Sequence, residues 1–478
     1  MKKKLEIKNP RSGEIDYHII PADLAAIATA TSHLRQAQQR WANADIKDRI
    51  AALSAFSEAI SKHRASLLEA LTQDTGRRAI STIEIDGIAS AIERWKALGS
   101  KIAKEEEVVH STSIPNITYR YQRMPLGLVG VISPWNFPFT LSLIDAIPAL
   151  IAGNAILLKP SEVTPRFAQP LRSLLAEVPE LDAVMTIIDG DGTTGAELIN
   201  HVDGICFTGS VKTGLRVAQS AARNFIPAFL ELGGNDPAIV LEDADVERAT
   251  TSLLRASILN TGQACQSIER IYVAHTIYEE FLNLLIAKAK AVTLNRDNLH
   301  EGHLGPLINY QQGDIIEAQL LDAVEKGAII HTGGKIERYG GVWCLPTVVT
   351  NVNHSMKLIT DETFGPVMPV MSFETEEEAI ELANDTVFGL SAAIFSENRD
   401  HAETVGSKIE AGGISLNDAS LTGFVHEAEK NSFKLSGLGG SRMGIAGYLR
   451  FFRKKALIWN VGQVANIEQF DEAHFFSG

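Results

Sequence analysis

Gly127-Leu128-Val129-Gly130-Val131-Ile132-Ser133 is a short apolar segment, and the proline-bracketed turn Pro134-Trp135-Asn136-Phe137-Pro138 follows it directly. Its length and its β-branched content are those of a fully buried strand. Similar apolar strands, each followed by a polar turn and then a helix, recur at residues 155–160 and 204–207. This alternation predicts a doubly wound parallel sheet, in which ligands bind at the carboxyl ends of the strands.

Strands and helices continue to alternate through the rest of the chain. Another strand is predicted at residues 184–188, and a second series of units begins at residues 237–241 and runs to residues 414–417. Apolar residues at three- and four-residue steps indicate the helices between them. Helices are predicted over residues 22–44, 46–72, 141–152, 246–259 and 277–292.

Two segments do not fit this alternation. Residues 107–124 alternate polar and apolar side chains around Pro115-Asn116, which predicts a β-hairpin. A hairpin with little core to lie on can pair with another subunit. The basic and aromatic segment at residues 449–458 is interpreted as an edge strand of an oligomer rather than as a contact with a membrane surface.

The composition limits the partners and the compartment. A chain of 478 residues is too long for one ordinary core and predicts two or three domains. A formal net charge of −14 argues against a nucleic acid partner, because phosphate binding needs clustered positive charge. Cys206, Cys265 and Cys344 are odd in number and far apart, which argues against disulfides and against a metal site. We find no signal peptide and no membrane-spanning apolar run, so the expected compartment is the cytoplasm.

A lone thiol ends the segment Asn260-Thr261-Gly262-Gln263-Ala264-Cys265. On a backbone of small residues with no second cysteine nearby, Cys265 is a candidate nucleophile. It would attack as the thiolate, so we expect surroundings that lower its pKa, such as a helix N-terminus or neighbouring amides. The alternative is a buried structural cysteine.

Two further polar residues stand near predicted strand ends. Glu231 precedes Leu232-Gly233-Gly234, and apolar surroundings disfavour a charged carboxylate and suit it to general-base work. An ion pair is the alternative for Glu231. Asn136 lies between two prolines, where its amide can stabilise an oxyanion or can simply serve the turn.

Phe207-Thr208-Gly209-Ser210-Val211-Lys212-Thr213-Gly214 closes a strand and opens a helix. The free N–H groups and the positive dipole end of such a helix favour a bound phosphate. The segment lacks the full G-x-G-x-x-G spacing, and many strand-to-helix turns look like it. By itself it does not assign a ligand.

Together, and in this order, these clusters resemble the aldehyde dehydrogenase superfamily over nearly the whole chain, from about residue 22 to residue 455. The resemblance implies an α/β fold with a Rossmann-type cofactor domain, an α/β catalytic domain and a small β bridging element for oligomerisation. The segments that carry it are Pro134-Trp135-Asn136-Phe137-Pro138, Lys159-Pro160-Ser161-Glu162, Phe207-Thr208-Gly209-Ser210, Glu231-Leu232-Gly233-Gly234, Gly262-Gln263-Ala264-Cys265 and Glu362-Thr363-Phe364-Gly365-Pro366.

The resemblance implies NAD(P)-dependent oxidation of a small-molecule aldehyde. Cys265 would add to the carbonyl, Asn136 and the Cys265 backbone N–H would hold the oxyanion, and Glu231 would activate the water that hydrolyses the thioester. Gly262 is expected to leave room beside the thiol for cofactor and carbonyl. Relatives that transfer the acyl group to coenzyme A generally lack this glutamate, so Glu231 favours hydrolysis. A CoA-acylating enzyme and a non-catalytic structural or binding protein with the same fold are the alternatives.

The resemblance also implies a dinucleotide site and no metal. Lys159 and Glu162 would bind the adenosine ribose. Because the charge of Glu162 disfavours a 2′-phosphate, we expect NAD, with NADP possible. The other expected contacts lie on the first turn (Ile132, Pro134 and Trp135), beneath the pyrophosphate (Gly209, Ser210 and Gly214) and at the nicotinamide ribose and ring (Glu362 and Phe364).

Family anatomy divides the chain into three parts. The cofactor domain would comprise residues 1–106 and 125–231, and the catalytic domain residues 232–448. The bridging element would comprise residues 107–124 and 449–478. Because that element would pair with the sheet of another subunit, we expect a homodimer or homotetramer.

Departures from the family pattern concern Asn235 and the mouth of the substrate tunnel. Asn235 stands where relatives carry a lysine, and we assign it no catalytic role. Residues 418–433, which by analogy line the tunnel mouth, follow a less common version of the pattern and offer no arginine for a substrate carboxylate. We therefore expect a hydrophobic, long-chain or aromatic aldehyde. The apolar residues of this segment are Leu421, Phe424, Val425 and Phe433.

Overall fold

A two-stranded ribbon and four helices precede the first large sheet. The computed structural model of the chain describes residues 4–103 and 108–472. The apolar patterns of the sequence did not predict this ribbon. The predicted helix over residues 46–72 is two helices, because His63 (φ −94°, ψ 12°) leaves helical geometry between them. These elements are β1 (Leu5–Lys8), β2 (Ile15–Ile19), α1 (Leu24–Asn43), α2 (Ile46–Lys62), α3 (Arg64–Thr75) and α4 (Arg78–Ile102).

A hairpin follows at the predicted place. Its strands β3 (Val109–His110) and β4 (Ile117–Pro125) pair antiparallel, with Asn116 (φ 66°) in the left-handed region at the turn. The C-terminal strand Phe452–Asn460, from the segment interpreted as an edge strand, pairs with β4 along its whole length. The result is a three-stranded sheet whose side chains are mostly exposed.

The first large sheet has the parallel, doubly wound arrangement predicted from residues 127–133. Its parallel strands are β5 (Leu128–Ile132), β6 (Ala155–Lys159), β7 (Met185–Ile187), β8 (Gly204–Thr208) and β9 (Ala228–Glu231). They lie in the order β9-β8-β5-β6-β7, so the chain moves first to one edge of the sheet and then to the other. The reversal falls between β5 and β8, and ligands bind at such switch points.

The helix predicted over residues 141–152 is two short helices, α5 (Pro138–Leu143) and α6 (Ala146–Ile151). Pro148 has no N–H to bond to the carbonyl of Ile144, so a continuous helix would lose a hydrogen bond there. At the break, the buried carboxylate of Asp145 binds the guanidinium groups of two distant arginines, Arg442 and Arg450. The other helices of this sheet are α7 (Ala168–Leu175), α8 (Pro179–Asp182), α9 (Gly192–Ile199) and α10 (Val211–Arg223).

A second, seven-stranded sheet follows in the chain. Its strands lie in the order β12-β15-β16-β11-β10-β17-β18 and are parallel apart from the edge strand β12, while β13 and β14 form a separate antiparallel pair. Apolar side chains pack on both of its faces. The strands are β10 (Asp236–Val240), β11 (Ile268–Ala274), β12 (Ile329–Thr332), β13 (Ile336–Tyr339), β14 (Gly341–Cys344), β15 (Thr347–Thr350), β16 (Val367–Phe373), β17 (Ser391–Phe395) and β18 (Gly413–Leu416). The helices are α11 (Val246–Ile258), α12 (Tyr278–Lys290), α13 (Tyr310–Glu325), α14 (Lys357–Thr360), α15 (Glu376–Asn384) and α16 (Arg399–Gly406).

The end of the chain returns to the first sheet. Strand β19 (Gly437–Leu438) pairs antiparallel with β9, and α17 (Gly444–Leu449) leads to β20 (Phe452–Asn460). Tyr448 and Phe451 pack in the core of the first sheet. The predicted boundary at residues 106 and 107 and the chain ends before residue 4 and after residue 472 lie outside the described residues. Within residues 4–103 and 108–472, no helix is long and apolar enough to cross a membrane.

Candidate active site

The thiol follows a left-handed turn at the end of α11. Asn260 (φ 60°), Thr261 (φ 59°) and Gly262 (φ 71°) are consecutive left-handed residues, and this conformation costs about 1 to 2 kcal/mol for a residue with a side chain. A Cβ on Gly262 would lie 2.2 Å from the backbone carbon and oxygen of Gly365. The backbone of Gly365 therefore fills the space that we expected Gly262 to leave for cofactor and carbonyl.

Buried side-chain amides hold this turn. Asn260 Nδ2 donates to the carbonyls of Asn136 and Gln263, each at 3.0 Å. Gln263 Nε2 donates to the carbonyl of Asn260 at 2.9 Å, and Gln263 Oε1 accepts from the N–H of Ile308 at 2.8 Å. These hydrogen bonds offset the backbone strain and fix the place of the thiol.

Asn136 lies beside the same turn, as the oxyanion hypothesis requires. Its side chain is buried, and Nδ2 donates to the carbonyl of Gln263, two residues before Cys265, at 3.0 Å. An amide nitrogen carries two hydrogens, so this contact leaves one for a further acceptor. Asn136 and Cys265 line one cavity, which places the amide where it can serve an oxyanion.

The surroundings of Cys265 differ from our expectation. Burial raises the pKa of the thiol to about 12, and the charges of Asp236, Glu231 and Glu362 act in the same direction. The ammonium of Lys430 opposes them. The expected pKa-lowering environment is wrong, because the fold gathers carboxylates around a half-buried thiol. The resting thiol is protonated at neutral pH.

Glu231 ends strand β9 and approaches the thiol from the first sheet. Its side chain is half-buried, and Glu231 Oε2 accepts a hydrogen bond from Ser432 Oγ at 3.2 Å. Its charge acts on Cys265, whereas its neighbours Leu232 and Gly233 line the cavity that contains the thiol. The structure thus brings Glu231, Asn136 and Cys265 together from three separate segments.

A cavity of about 250 Å³ opens beside the thiol at the switch point of the first sheet. The rings of Trp135 and Phe364 meet edge to face at its wall, with their centroids 5.3 Å apart. Flat apolar walls beside a few polar groups suit a planar ring. The expected contacts that line the cavity are Pro134, Trp135, Gly209, Ser210, Glu362 and Phe364, joined by Leu141, Thr208, Leu232, Asn309, Gln312 and Ile315.

Lys159 and Glu162 lie at the carboxyl end of β6. Lys159 is buried, which lowers the pKa of its ammonium, and the neighbouring Glu162 opposes this shift. Lys159 Nζ donates to Glu162 Oε2 at 3.3 Å, while the Glu162 side chain stays 41% exposed. A carboxylate that is held by lysine and still open to solvent can accept hydrogen bonds from a ribose.

The phosphate-binding prediction falls at the start of α10. Ser210 is its N-cap and accepts a hydrogen bond from the N–H of Thr213 at 3.4 Å. A Cβ on Gly209 would lie 2.6 Å from the ring of Phe207, so the turn is held close to the sheet. Gly214 instead faces the Leu232 side chain, which a Cβ would meet at 2.4 Å. Gly214 therefore supports helix packing rather than lining the cavity.

Ile132 ends β5, directly beside Lys159 of β6 and Phe207 of β8 in the register of the sheet. It is half-buried at the switch point but does not line the cavity with the thiol. A helix N-terminus, the solvent-exposed carboxylate of Glu162 and flat apolar walls lie at one edge of the sheet. These groups fit a nicotinamide dinucleotide.

Glu362 and Phe364 reach the cavity from the second sheet. Glu362 Oε1 accepts a hydrogen bond from the N–H of Gly234 at 3.0 Å, and burial raises the pKa of this carboxyl to about 7. A Cβ on Gly233 would lie 2.5 Å from Glu362 Oε2, so the glycine pair admits the carboxylate. Phe364 has a left-handed φ of 51°.

Glu362 and Phe364 belong to a turn at residues 361–364. Sequence reasoning missed the residues that hold this turn in place. Asn235, to which we assigned no catalytic role, donates from Nδ2 to the carbonyls of Ile359 and Asp361, each at 3.1 Å. Gln312, Gln319 and Glu269 bind the backbone of residues 362–364. Only Glu269 had a usable signal, since it is a charged residue within the apolar stretch that forms β11. The glutamines lie on α13, far away in the sequence.

Metal-ligating clusters of three or more His, Cys, Asp or Glu side chains do not occur in the part of the chain that the structure describes. Cys206 and Cys344 are buried, and neither they nor Cys265 forms a disulfide. The chemistry of the site therefore has to be derived from the thiol, the amide and the carboxylates.

The fold and the site define a class of protein: a two-sheet α/β protein that places a cysteine beside a cavity whose lining fits a dinucleotide. Comparison with known proteins gives the family, since the model of the aldehyde dehydrogenase family matches residues 1–457. The chain belongs to the aldehyde dehydrogenase family and is an enzyme that oxidises aldehydes.

Three similar proteins illustrate the match. The 4,4′-diapolycopene aldehyde oxidase of Methylomonas sp is 36% identical over 86% of this chain and 77% of that protein. PutA of Anabaena variabilis is 52% identical, with a TM-score of 0.95 over 97% of this chain and 99% of that one. Betaine aldehyde dehydrogenase of Staphylococcus aureus in complex with NAD+ is 31% identical, with a TM-score of 0.90 over 97% and 93% of the two chains.

These comparisons confirm the family, the α/β fold class and the enzyme class predicted from the sequence. A solved relative in complex with NAD+ agrees with the predicted nicotinamide cofactor. The roles of individual residues, the domain boundaries, the oligomeric state and the cytoplasmic location remain predictions.

Proposed function

We propose that this enzyme oxidises a hydrophobic aldehyde to the carboxylic acid with NAD+, through a thioester on Cys265 that water hydrolyses. The observation that supports this proposal most strongly is that Asn136 and Glu231, from two other segments, lie near the Cys265 thiol. A protein that had kept only the fold would have no use for this convergence. Retention of the carboxylate favours hydrolysis over transfer of the acyl group to coenzyme A.

The first half-reaction depends on the thiol and its neighbouring donors. The Cys265 sulfur attacks the aldehyde carbon, and the thiol proton passes to solvent water as the carbon–sulfur bond forms. The free N–H of the Asn136 amide and the backbone N–H of Cys265 stabilise the oxyanion, a contribution of about 3 to 4 kcal/mol per donor in comparable sites. A bound nicotinamide would supply the acceptor for the hydride that leaves the adduct carbon. Cys265 is then left as a thioester.

The second half-reaction depends on Glu231. As a carboxylate it accepts a proton from a water molecule while the water oxygen attacks the thioester carbon. The hydrogen bond from Ser432 Oγ orients the carboxylate toward the substrate side, because Ser432 belongs to the segment at the tunnel mouth. Collapse of the adduct breaks the carbon–sulfur bond, and the products are the carboxylic acid and the free thiol.

The choice of NAD rests on Glu162. Its side chain is exposed at the sheet edge, where it would face the 2′-position of a ribose. Glu162→Gln should raise kcat/KM for NADP about tenfold, because repulsion between two close charges near a surface amounts to about 1 to 4 kcal/mol. Steady-state kinetics with both cofactors would measure this change. Glu180→Gln, at an exposed glutamate of α8, is the control, and an unchanged NADP:NAD ratio in Glu162→Gln would contradict the role.

The tunnel mouth supports a hydrophobic substrate. Phe424 is 56% exposed and Phe433 is 46% exposed, so both offer apolar surface to a hydrophobic substrate. Arg255 lies over the Phe424 ring but pairs with Asp418, at 2.6 Å. The relative from Methylomonas is named for 4,4′-diapolycopene aldehyde. Together these observations support a long-chain or aromatic aldehyde.

An aldehyde panel tests the proposal directly. Purified enzyme is supplied with NAD+ or NADP+ and with short, long-chain, aromatic and acidic aldehydes, and NADH absorbance is recorded. We expect NADH with the apolar aldehydes at the lowest KM and no requirement for coenzyme A. Acidic aldehydes belong in the panel because the Lys430 ammonium acts on Cys265. If no aldehyde reduced either cofactor, the proposed function would be wrong.

The proposal extends to domains and assembly. It assigns residues 1–106 and 125–231 to the cofactor domain, residues 232–448 to the catalytic domain, and residues 107–124 and 449–478 to the bridging element. The β3-β4-β20 sheet supports this last assignment because it leaves large apolar side chains exposed, as expected of a homodimer or homotetramer. These side chains include Tyr121, Ile458 and Trp459.

A further inference from the structure

The turn at residues 361–364 carries Glu362 and Phe364 into the cofactor cavity, and side chains from other elements bind its backbone. Three of these side chains are amides that donate to carbonyls. Asn235 Nδ2 binds the carbonyl of Asp361 at 3.1 Å, Gln319 Nε2 that of Glu362 at 3.2 Å, and Gln312 Nε2 that of Thr363 at 2.7 Å. Side chains that are distant in the sequence therefore help to set the position of the turn.

Glu269 is the fourth of these side chains and the only carboxylate among them. It lies on β11, four residues after Cys265, and is 2% exposed. Its Oε2 accepts from the N–H of Thr363 and its Oε1 from the N–H of Phe364, each at 2.7 Å. Both oxygens are thus used by adjacent backbone donors, next to the left-handed Phe364 (φ 51°).

We propose that Glu269 is a positioning residue for the oxidation step. By binding the N–H groups of Thr363 and Phe364, it holds the Phe364 ring against Trp135 and the Glu362 carboxylate against Gly234. The strand that follows the thiol thereby fixes the distance between Cys265 and the groups that would meet the nicotinamide. This role rests on the proposed function, since it concerns where the cofactor sits relative to the thiol.

The geometry explains why a carboxylate is needed here. Two N–H donors converge on one side chain, and a carboxylate offers an acceptor to each, whereas an amide would turn its own N–H₂ toward one of them. Burial raises the pKa of Glu269, and the nearby Glu362 charge adds to this effect, while the two N–H donors oppose it. The two N–H donors therefore favour the ionised form, but they do not outweigh burial and the Glu362 charge, and the pKa of Glu269 stays raised.

The test separates cofactor-dependent oxidation from chemistry at the thiol alone. Hydrolysis of p-nitrophenyl acetate needs an acyl transfer to Cys265 and a hydrolysis step, but no cofactor. For Glu269→Gln we expect kcat of aldehyde oxidation to fall about tenfold or more, because a buried donor loses its acceptor. The rate of ester hydrolysis should stay within about twofold of that of the unaltered enzyme. The reason is that Glu269 binds the N–H groups of Thr363 and Phe364 and not the turn that carries the thiol.

A second readout needs no activity. Hydrogen exchange of the cofactor-free protein, followed by mass spectrometry, should show faster exchange in a peptide that covers residues 361–366. Calorimetric titration with NAD+ should show weaker binding in the variant. If Glu269→Gln does not fold, Glu269→Asp keeps the charge but withdraws it by one methylene, and it should give the same pattern at smaller size.

The matched control is Glu84→Gln. Glu84 is also 2% exposed and accepts two backbone hydrogen bonds through Oε2, from Phe139 at 3.1 Å and Thr140 at 3.0 Å. Loss of this buried carboxylate should change oxidation and ester hydrolysis by the same factor and leave exchange at residues 361–366 unchanged.

Two results would overturn the inference about Glu269. One is an equal loss of oxidation and ester hydrolysis in Glu269→Gln, which would mean general damage. The other is unchanged exchange at residues 361–366. If instead the unaltered enzyme oxidised no aldehyde but still hydrolysed the ester, the proposed function would fail. The exchange measurement would still test whether Glu269 holds the turn at residues 361–364.

Discussion

Cys265→Ala should lower kcat for aldehyde oxidation by about 10⁴-fold or more, to the background of the assay. Without the sulfur there is no covalent adduct from which the hydride can leave, and no thioester for Glu231 and water to resolve. The measurement is NADH absorbance under saturating substrate, with mass spectrometry of the enzyme after quenching. The unaltered enzyme should carry an acyl mass, and the variant should not.

Cys344→Ala is the control for this prediction. Cys344 is fully buried in β14 of the β13-β14 pair and has no contact with the cavity beside Cys265. Its replacement removes a sulfur from the core and should leave kcat nearly unchanged. Substantial turnover in Cys265→Ala would contradict the mechanism, because no second thiol lines this cavity in the described residues.

The pKa of Cys265 adds a dependence on pH. Because burial raises this pKa to about 12, the thiolate fraction in the ligand-free enzyme should rise about tenfold per pH unit across the neutral range. Alkylation of Cys265 by iodoacetamide should follow this slope from about pH 7 to pH 9 without levelling, whereas an ordinary cysteine levels near its pKa of about 8.5. A plateau below pH 8 would show that the thiol is activated before ligands bind.

The motif residues were predictable because each motif is local. Each motif can be recognised from a few neighbouring residues. The three motifs are the turn after β5 with Asn136, the end of β9 with Glu231 and the small-residue segment before Cys265. A parallel sheet brings the ends of β5 and β9 to one edge, but Cys265 precedes β11 of the second sheet. The meeting of all three residues was therefore implied by the family resemblance and not by the strand pattern. The fold class could be stated before any coordinates, while the catalytic roles of Asn136, Glu231 and Cys265 remain predictions.

The electrostatics of the thiol could not be predicted in the same way. Asp236, Glu231 and Glu362, which together oppose the thiolate, come from β10, β9 and a turn between α14 and β16. The residues next to Cys265 in the sequence suggested amides and a helix terminus that would lower the pKa of the thiol. The pKa is instead raised, so the sign of the expected shift was wrong. The space beside Gly262 was misjudged for a related reason, since its occupant, Gly365, lies about a hundred positions away.

Long-range polar contacts also stabilise breaks and turns that apolar patterns do not show. The break between α5 and α6 has a local cause in Pro148, but the buried Asp145 is stabilised by Arg442 and Arg450, which no apolar pattern connects to it. The supports of the turn at residues 361–364 are also long-range: they are four polar side chains on α13, on β11 and in the loop before β10. Apolar periodicity predicts elements, while the buried polar contacts that fix their ends appear only in the folded chain.

Glu231→Gln should separate the two half-reactions. Addition of the thiol and formation of the thioester do not need the general base for water, so one NADH per active site should form in a rapid burst. Hydrolysis should then slow by about 10² to 10⁴-fold, the usual contribution of general-base catalysis. Rapid-mixing absorbance would show a burst equal to the enzyme concentration, and mass spectrometry would find the acyl group on the peptide that contains Cys265.

Hydroxylamine gives this prediction its sharpest form. As a strong nucleophile it attacks the thioester without a general base, so it should restore turnover in Glu231→Gln and yield the hydroxamate in place of the acid. Glu374→Gln, at an exposed glutamate beside His275, should behave like the unaltered enzyme. Full steady-state turnover of Glu231→Gln without added nucleophile would remove Glu231 from the mechanism. If the unaltered enzyme required coenzyme A, it would instead be an acylating dehydrogenase. The acyl group of the thioester would then be transferred to the thiol of coenzyme A and not to water.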